Sequence, residues 1–551
     1  MRPPVPASRP ERFGAYSFVC GAVGPPDPAV WQRLITSAPV ALPTLESGPT
    51  FAFASSAAPD LVCAGGRAWT WGNARPDPSI PANWRGAAHD RGAAGLWVEV
   101  DSVRLHTDGL GMHDVFIREV GETTYFANRI TPLTGIADAL LTTDWDAWGE
   151  HLAFGGMIGD ATGFSEIRRL RFGQSVVRAG ASQTIETELP PWAEGNGPEL
   201  SSAALAAALR DQLPGRNGEA TAIALSGGWD SRVIAMALAR NGARRPLAWT
   251  ISPDNGFDDD LLMSAGVAKA LRLKQRVVSQ AAESWTVHRP AALLRMEHQS
   301  WMHTWMAPLG TAVARAGRPV FDGLGGDLLL RNRFGTEAVL DAPNPAVAEE
   351  LLFRCFGGAR VAADNVLAEP WADRWRTTTR ESSRREGRLW DGHPSSVTMR
   401  VLAGRTNRLI SIAPLRHFGP EVAVLLPMVA GDFIGAALRV PTERKRDGNF
   451  LREVMAHLDP RTAALPSTND GLPKTTARSP RTERTATAFA WIAEQIHADP
   501  QVQEILHPVL LDAMVDQEQQ RRLGDGPLRV LQWASTVAHW RATHQGVLAE
   551  V

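Results

Sequence analysis

The chain has 551 residues, enough for about two to four domains at ~100–200 residues each. Lysine plus arginine number 57 against 59 aspartate plus glutamate, a net charge of -2, which excludes a globally basic surface for nucleic acid or anionic membrane. No apolar run reaches the ~18–20 residues that span a bilayer, Met1–Pro4 carries a single basic residue so no cleavable signal peptide is expected, and three cysteines (Cys20, Cys63, Cys355) are too few for a disulfide framework or a four-thiolate metal site.

In chain order, residues 1–190 read as β-rich. Short apolar runs at Tyr16–Val23, Phe51–Ser55, Leu61–Ala64, Gly95–Val100, Val115–Val120 and Thr123–Ala127 lie between Gly, Pro and Asp punctuation. Helical patterns interrupt them at Pro28–Thr36, Leu133–Leu141 and Trp145–Phe154. Pro190–Ser202 is rich in Pro, Gly and Ser and reads as a linker. Strands then alternate with helices: helix Ser202–Leu213, strand Thr221–Leu225, helix Val233–Arg240, strand Pro246–Ile251, helix Leu261–Leu271, strand Gln275–Val278. Such alternation predicts a parallel sheet covered on both faces. The last third reads as helical, with a polar gap at Ser467–Thr485.

The segment with the clearest chemistry is the apolar run Thr221–Leu225, the loop Ser226-Gly-Gly-Trp-Asp-Ser231, and the helical run that follows. A strand–loop–helix of this kind aims backbone N–H groups at one centre on a helix N-terminus, which suits phosphate oxygens. Two glycines let the backbone approach closely, two serines add hydroxyls, and Asp230 offers a carboxylate for magnesium. The Walker loop, G-x-x-x-x-G-K-[ST], is a different pattern. The plain alternative is a strand–helix turn that happens to carry Gly-Gly. A second strand and Gly-rich loop, Arg318-Pro-Val-Phe-Asp-Gly-Leu-Gly-Gly-Asp327, ends on another carboxylate. Two such loops can converge at the carboxyl edge of a parallel sheet.

These two loops resemble those of the pyrophosphatase-loop family, which cleaves ATP between its α and β phosphates, and in particular the synthetase domain of asparagine synthetase. Trp249–Ser252 resembles the strand end that contacts adenine there, and Phe257–Asp260 resembles the family's D-E-x-x-x-A segment with Asp260 in the place of Glu. Asp108–Met112, Thr124–Ala127 and Phe154–Arg169 resemble the end of that enzyme's glutaminase domain. The resemblance implies an α/β fold. Residues 1–192 would form a glutaminase-like αββα sandwich of the Ntn type without glutaminase activity. Residues 203–551 would form a pyrophosphatase-loop adenylating domain with a parallel sheet flanked by helices. It implies ATP and Mg²⁺ as cofactors, with Asp230 and Asp327 as the magnesium ligands. Leu225, Ser226, Gly227, Gly228, Trp229, Asp230, Ser231, Ile251, Ser252 and Gly323 would be the ATP-binding residues.

Within this superfamily, Cys20-Gly-Ala-Val-Gly24 resembles the C-G-I-x-G opening of the glutaminase, but position 2 is arginine and Cys20 would need nineteen residues removed to gain a free α-amine. A small buried residue in the first strand is the preferred reading of Cys20. β-Lactam synthetase has a tyrosine just before the second magnesium aspartate, and the matching residue here is Leu324. Both tyrosines, Tyr16 and Tyr125, lie in the first half. The loops Ser226–Arg232 and Asp322–Asp327 most resemble the lasso peptide macrolactam synthetases. That resemblance implies adenylation of an Asp or Glu side chain of a core peptide and attack by the peptide's own N-terminal amine, releasing AMP and pyrophosphate. An asparagine synthetase-like or β-lactam synthetase-like enzyme on a small amino acid is the second expectation, and a non-catalytic scaffold the third. Partners implied are the leader-processed core peptide, a leader peptidase and a leader-binding protein, in the reducing cytoplasm.

Only four lysines occur: Lys269, Lys274, Lys445 and Lys474. The family keeps a catalytic lysine after a late L-P segment, which points to Lys474 in Leu465–Lys474 and, with poorer spacing, to Lys445. Glu297–His298 and His303, within Arg295–Gly310, fall where the family shapes its acceptor pocket, and His303 or His298 is the candidate base, a packed histidine being the plain alternative. The basic stretch Ser467–Thr485, with Lys474, Arg478, Arg481 and Arg484, is expected to close over the phosphates.

Overall fold

The computed structural model describes residues 18–56, 60–63, 67–72, 93–213, 220–242, 246–252, 259–281, 283–361, 363, 365–418, 422–470 and 482–549. The strands are β1 (Val19–Val23), β2 (Thr44–Gly48), β3 (Phe51–Ser55), β4 (Asp60–Cys63), β5 (Arg67–Gly72), β6 (Ala93–Val98), β7 (Ser102–His106), β8 (Phe116–Val120), β9 (Thr123–Ala127), β10 (Ile167–Arg169), β11 (Gln174–Ala179), β12 (Ser182–Thr187), β13 (Ala222–Ala224), β14 (Leu247–Ile251), β15 (Lys274–Val278), β16 (Val320–Phe321) and β17 (Val424–Leu425). They build two six-stranded sheets, ordered β10-β8-β9-β1-β3-β2 and β12-β11-β7-β6-β5-β4, and one five-stranded sheet, ordered β15-β14-β13-β16-β17. The pairings recorded within the first two are antiparallel and those within the third are parallel. The fold is mixed α/β.

Strand alternation sets the layers of the first half. Val19, Val23, Phe51, Phe53, Ile117 and Phe126 of the first sheet meet Trp69, Trp71, Leu96, Val103 and Leu105 of the second in one core, with the Phe53 and Trp69 rings stacked at 5.1 Å. Gly21 is required in β1, because a Cβ there would stand 2.5 Å from the Phe126 ring. The opposite face, with Cys20, Ala22, Ala52 and Ala127, packs on helices Pro28–Thr36 and Trp145–Phe154. Trp533 and Trp540 of the late helix Asp525–Thr543 share that core, and the Trp533 indole donates to the Trp148 carbonyl at 3.1 Å. The chain's last helices therefore return to the first sheet.

The expected helix Leu133–Leu141 is not formed. A single turn, Thr131–Thr134, ends at Gly135. The sequence reading also passes over β2, β5, β7, β10, β11 and β12, which are short or polar at their ends. Among the described residues no helix is long and apolar enough to cross a membrane.

The parallel sheet positions the site. Strand β13 is central, with β14 and β15 on one side and β16 and β17 on the other. The chain therefore leaves β13 in one direction and later returns to pair β16 against its other edge. Such a reversal of strand order leaves room for a crevice at the carboxyl ends of β13 and β16.

Candidate active site

The loop after β13 is Leu225–Gly228, and the helix Trp229–Arg240 follows at once. The loop after β16 is Asp322–Gly325, leading into the turn Gly326–Leu329. The two loops touch because glycine lets them. A Cβ on Gly323 would stand 2.6 Å from the Ser231 nitrogen, and one on Gly326 2.8 Å from an Asp230 carboxylate oxygen. Gly325 has φ +94, a left-handed turn that suits glycine. The G-x-G-G-D spacing is thus a packing requirement for bringing Asp327 onto Asp230.

Between the loops lies a cleft of about 270 Å³, lined by Leu225, Ser226, Asp230, Ser231, Ile251, Asp260, Gly323 and Asp327, with Trp249, Trp305, Met306 and Ile410 as apolar wall. Seven of the expected ATP- and magnesium-binding residues therefore line one cleft: Leu225, Ser226, Asp230, Ser231, Ile251, Gly323 and Asp327. Gly227, Gly228, Trp229 and Ser252 stand beside it. Trp229 is buried, with the Arg452 guanidinium 4.6 Å and the Arg331 guanidinium 5.2 Å from its ring centre.

Burial and the neighbouring carboxylates of Asp327 and Asp322 hold the Asp230 carboxyl well above the usual carboxylate range, although Arg331 and the Asp327 backbone N–H act the other way. Burial pushes Asp322 up to about 6, against the bond it accepts from the Leu324 N–H. Carboxylates that repel one another at the mouth of a cleft are a donor set suited to a divalent cation. Among the described residues no three His, Cys, Asp or Glu side chains group as a self-sufficient metal cage. Two carboxylates completed by phosphate oxygens fit magnesium, which seldom takes an all-protein cage.

The sequence pattern predicts loop amides converging on one centre, and the structure differs. Each is held by an oxygen of the protein. The Ser226 N–H donates to Ser231 Oγ at 2.9 Å, the Gly227 N–H to Asp260 at 2.8 Å, the Gly228 N–H to Ser226 Oγ at 3.2 Å, and the Trp229 N–H to Asn469 Oδ1 at 2.9 Å. Burial raises the Asp260 carboxyl, which its bond from Gly227 partly offsets. Asn469 belongs to a strap, Leu465–Asn469, laid across the loop. Arg232 donates to the Leu465 and Pro466 carbonyls at 2.6 and 2.5 Å, and Ser467 Oγ and the Thr468 N–H donate to the Gly227 carbonyl at 3.0 and 3.2 Å.

The basic candidates are placed differently from expectation. Lys445 is 1% exposed and turned inward, its Nζ donating to the Ala437 carbonyl at 2.7 Å. It satisfies a carbonyl in the last turn of helix Gly431–Leu438 rather than lining the cleft. Burial pushes its ammonium down to about 7. His303 has φ 59 and a buried Nε2 without an acceptor. Its neighbours Trp305 and Met306, not the imidazole, form the cleft wall. Burial, with the nearby Arg405 charge, pushes it down to about 4. His298 is wholly buried and bonded to His539 at 2.8 Å. Arg484 is tied to the Leu523 carbonyl and Asp525 instead of the Ser226–Ser231 loop. Lys474, Arg478 and Arg481 lie outside the described residues, as does Phe257.

Cys20 lies in β1, 0% exposed beneath the helices, and burial pushes its thiol up to about 12. A thiol so held has almost no thiolate to act as nucleophile.

Asp322, Trp305, Met306 and Asn469 lie in segments that the sequence singles out (Asp322–Asp327, Arg295–Gly310 and Leu465–Lys474) but have no role of their own there. Ile410 comes from a distant element with no local pattern. A scan against protein families finds no match, and a search of curated proteins finds none either.

Proposed function

We propose that this protein is an ATP-dependent, AMP-forming carbon–nitrogen ligase that closes a macrolactam ring in a lasso peptide. The observation that carries the reading is the meeting of Asp230 and Asp327 at the reversal point of the parallel sheet, beside a cleft walled by Trp249, Trp305, Met306 and Ile410. In this reading residues 1–192 are a glutaminase-like Ntn layer in which Cys20 is structural, and residues 203–551 are the pyrophosphatase-loop adenylating part.

ATP would lie with its adenine toward Ile251 and Ser252. Its pyrophosphate would follow Ser226–Ser231, its oxygens replacing Asp260 and Asn469 as acceptors of the Gly227 and Trp229 amides. Asp230 and Asp327 would hold the magnesium, which supplies neutralisation of phosphate charge. A core-peptide carboxylate oxygen bonds to the α-phosphorus as the bond from that phosphorus to the bridging oxygen breaks, and pyrophosphate leaves. The peptide's N-terminal amine then attacks the acyl carbon, loses a proton to solvent or base, and expels AMP. A terminal amine with a pKa of ~7.7–8.0 is partly neutral at pH 7, so no tyrosine dyad is needed. Lys474, five residues past Asn469 in sequence, would face the developing oxyanion. Aligning amine and adenylate in one cleft is worth up to ~7–11 kcal/mol. A leader peptidase, a leader-binding protein and a cytoplasmic setting belong to the same proposal.

The test is incubation with ATP, magnesium and synthetic peptides bearing a free N-terminal amine and an Asp or Glu several residues on. AMP release and a product lighter by one water are expected. Formation of ADP, or of asparagine from aspartate and ammonia, contradicts the reading.

A further inference from the structure

A second cavity adjoins the cleft through one helical segment. Leu402–Ile410 is a π-helix, a rare form that often marks functional sites. Its Ile410 lines the cleft, while its Gly404, Arg405 and Leu409 line a narrow apolar cavity with Phe356. That cavity holds about 30 Å³, room for one or two waters or a group of similar size.

Arg405 is the unexplained group there. Its guanidinium lies 5.2 Å from the Phe334 ring centre, and Arg333 covers the same ring at 5.9 Å. Its Nε is buried with no acceptor, and it forms no ion pair among the described residues. Asp327 is the carboxylate whose charge acts on it, and Arg333 opposes it. Arg333 already engages Asp327 at 3.4 Å. Arg360, another buried cation, has the Ala153 carbonyl as its acceptor at 2.7 Å. Two glutamates also line the cavity, but both are engaged: Glu349 with Arg384 at 3.7 Å, and Glu386 with Arg171 at 3.3 Å and Arg385 at 3.4 Å. Arg405 is therefore a half-buried guanidinium with a desolvated Nε and no ion-pair partner among the described residues. Desolvating part of a cation without a partner is costly. A planar carboxylate matches its fork of donors.

We propose that Arg405, about one turn of the π-helix from the cleft residue Ile410, receives the acyl-donor carboxylate of the substrate, an Asp or Glu side chain. This rests on the adenylation reading above and adds the residue that selects an acid over its amide. Arg405 is a substrate-binding residue in this scheme; the phosphoryl chemistry belongs to the cleft.

The experiment measures binding and exchange separately. The full-length protein is titrated by NMR or calorimetry with N-acetyl-aspartate and N-acetyl-glutamate N-methylamides and with the matching asparagine and glutamine compounds. For the wild type, at least one acid should bind at least about tenfold tighter than its amide. Arg405→Gln should bring the two within about twofold, and Arg405→Lys, which keeps the charge but not the fork, should fall between. Arg405→Lys serves alone where Arg405→Gln does not fold. Equal binding of acid and amide by the wild type, or undiminished preference in the variant that folds, overturns the assignment. Carboxylate-dependent ATP–pyrophosphate exchange by the wild type is followed alongside. Its absence would count against adenylation, while the acid–amide preference would still decide the role of Arg405.

Discussion

Asp230 lies buried between Asp327 and Asp322, so its ionised form is disfavoured when no cation is present. A carboxyl whose folded value lies above its unfolded one favours the fold at low pH, and that contribution is lost as pH rises through the folded value. Asp230→Asn should therefore raise the melting temperature in chelator, by an increment that grows as pH rises above the usual carboxylate range, while lowering ATP-dependent turnover about 10²–10³-fold. An unchanged melting profile would contradict the electrostatic account. Lys445 makes the opposite argument. Its folded value, about 7, lies below the unfolded one, so the protonated form strains the fold below pH 7 and is relieved as pH rises toward 10. Lys445→Met should stabilise by a few kcal/mol at pH 6, gain less at pH 9, and leave turnover within about threefold. A loss of turnover comparable to that of Asp230→Asn would return Lys445 to the chemistry. At this scale the sequence was informative where packing forces a spacing. Gly323, Gly326 and Asp327 must sit where they do for the loops to touch. Arg405 and Asn469 have no such spacing, because their partners lie tens to hundreds of positions away.

The strap Leu465–Asn469 and the helix Trp229–Arg240 form the element-scale device. Five hydrogen bonds hold the strap on the loop and Arg232: two from Arg232, two into the Gly227 carbonyl and one from the Trp229 N–H. Asn469→Ala removes the acceptor of the Trp229 amide, a bond worth about 1 kcal/mol. Hydrogen exchange at that amide should quicken about fivefold without nucleotide, and magnesium-ATP should restore protection if phosphate takes Asn469's place. Protection that ATP does not restore would contradict that exchange of acceptors. Elements with a clear apolar rhythm and a defined stop were legible: β3, β9 and the helix Trp145–Phe154, which Asp144 caps and Gly155 ends in a left-handed turn. Leu133–Leu141 misled because its apolar spacing crosses Gly135, where the turn ends. The π-helix has no pattern of its own in sequence.

Across the whole molecule the two halves are joined by buried polar groups rather than by a separable linker alone. Asp114 receives Arg169 at 2.6 Å and Arg416, from the second half, at 2.7 Å. Despite its burial, these two guanidinium groups hold its carboxyl below the usual range. His151 and His298 meet near the late helix that returns to the first sheet, and burial pushes His151 down to about 3 and His298 well below its usual value. His417, also buried, is pushed down to about 3. For histidines lowered in this way, stability is complete above the unfolded value of about 6.5 and is lost as pH falls below it. Each of His151 and His417 should cost about 2 kcal/mol at pH 5. Thermal melts should therefore fall steeply between pH 6.5 and 5, and His151→Gln should flatten the slope; a flat profile in the wild type would contradict this seam. The βαβ alternation and the parallel sheet were legible from residue 202 onward. The return of Asp525–Thr543 to the first sheet was not, because a helix's periodicity gives its apolar face but not its partner.

Asp230 and Asp327 are proposed to bind the metal–nucleotide together for adenylation of a carboxylate. Exchange of labelled pyrophosphate into ATP, driven by an acidic peptide, measures that step before any ring closes. Exchange should require magnesium and the peptide's side-chain carboxylate, and should fall at least about 10²-fold in Asp230→Ala and in Asp327→Ala. Exchange that survives either substitution, or that proceeds equally with the amide form of the peptide, would contradict that role.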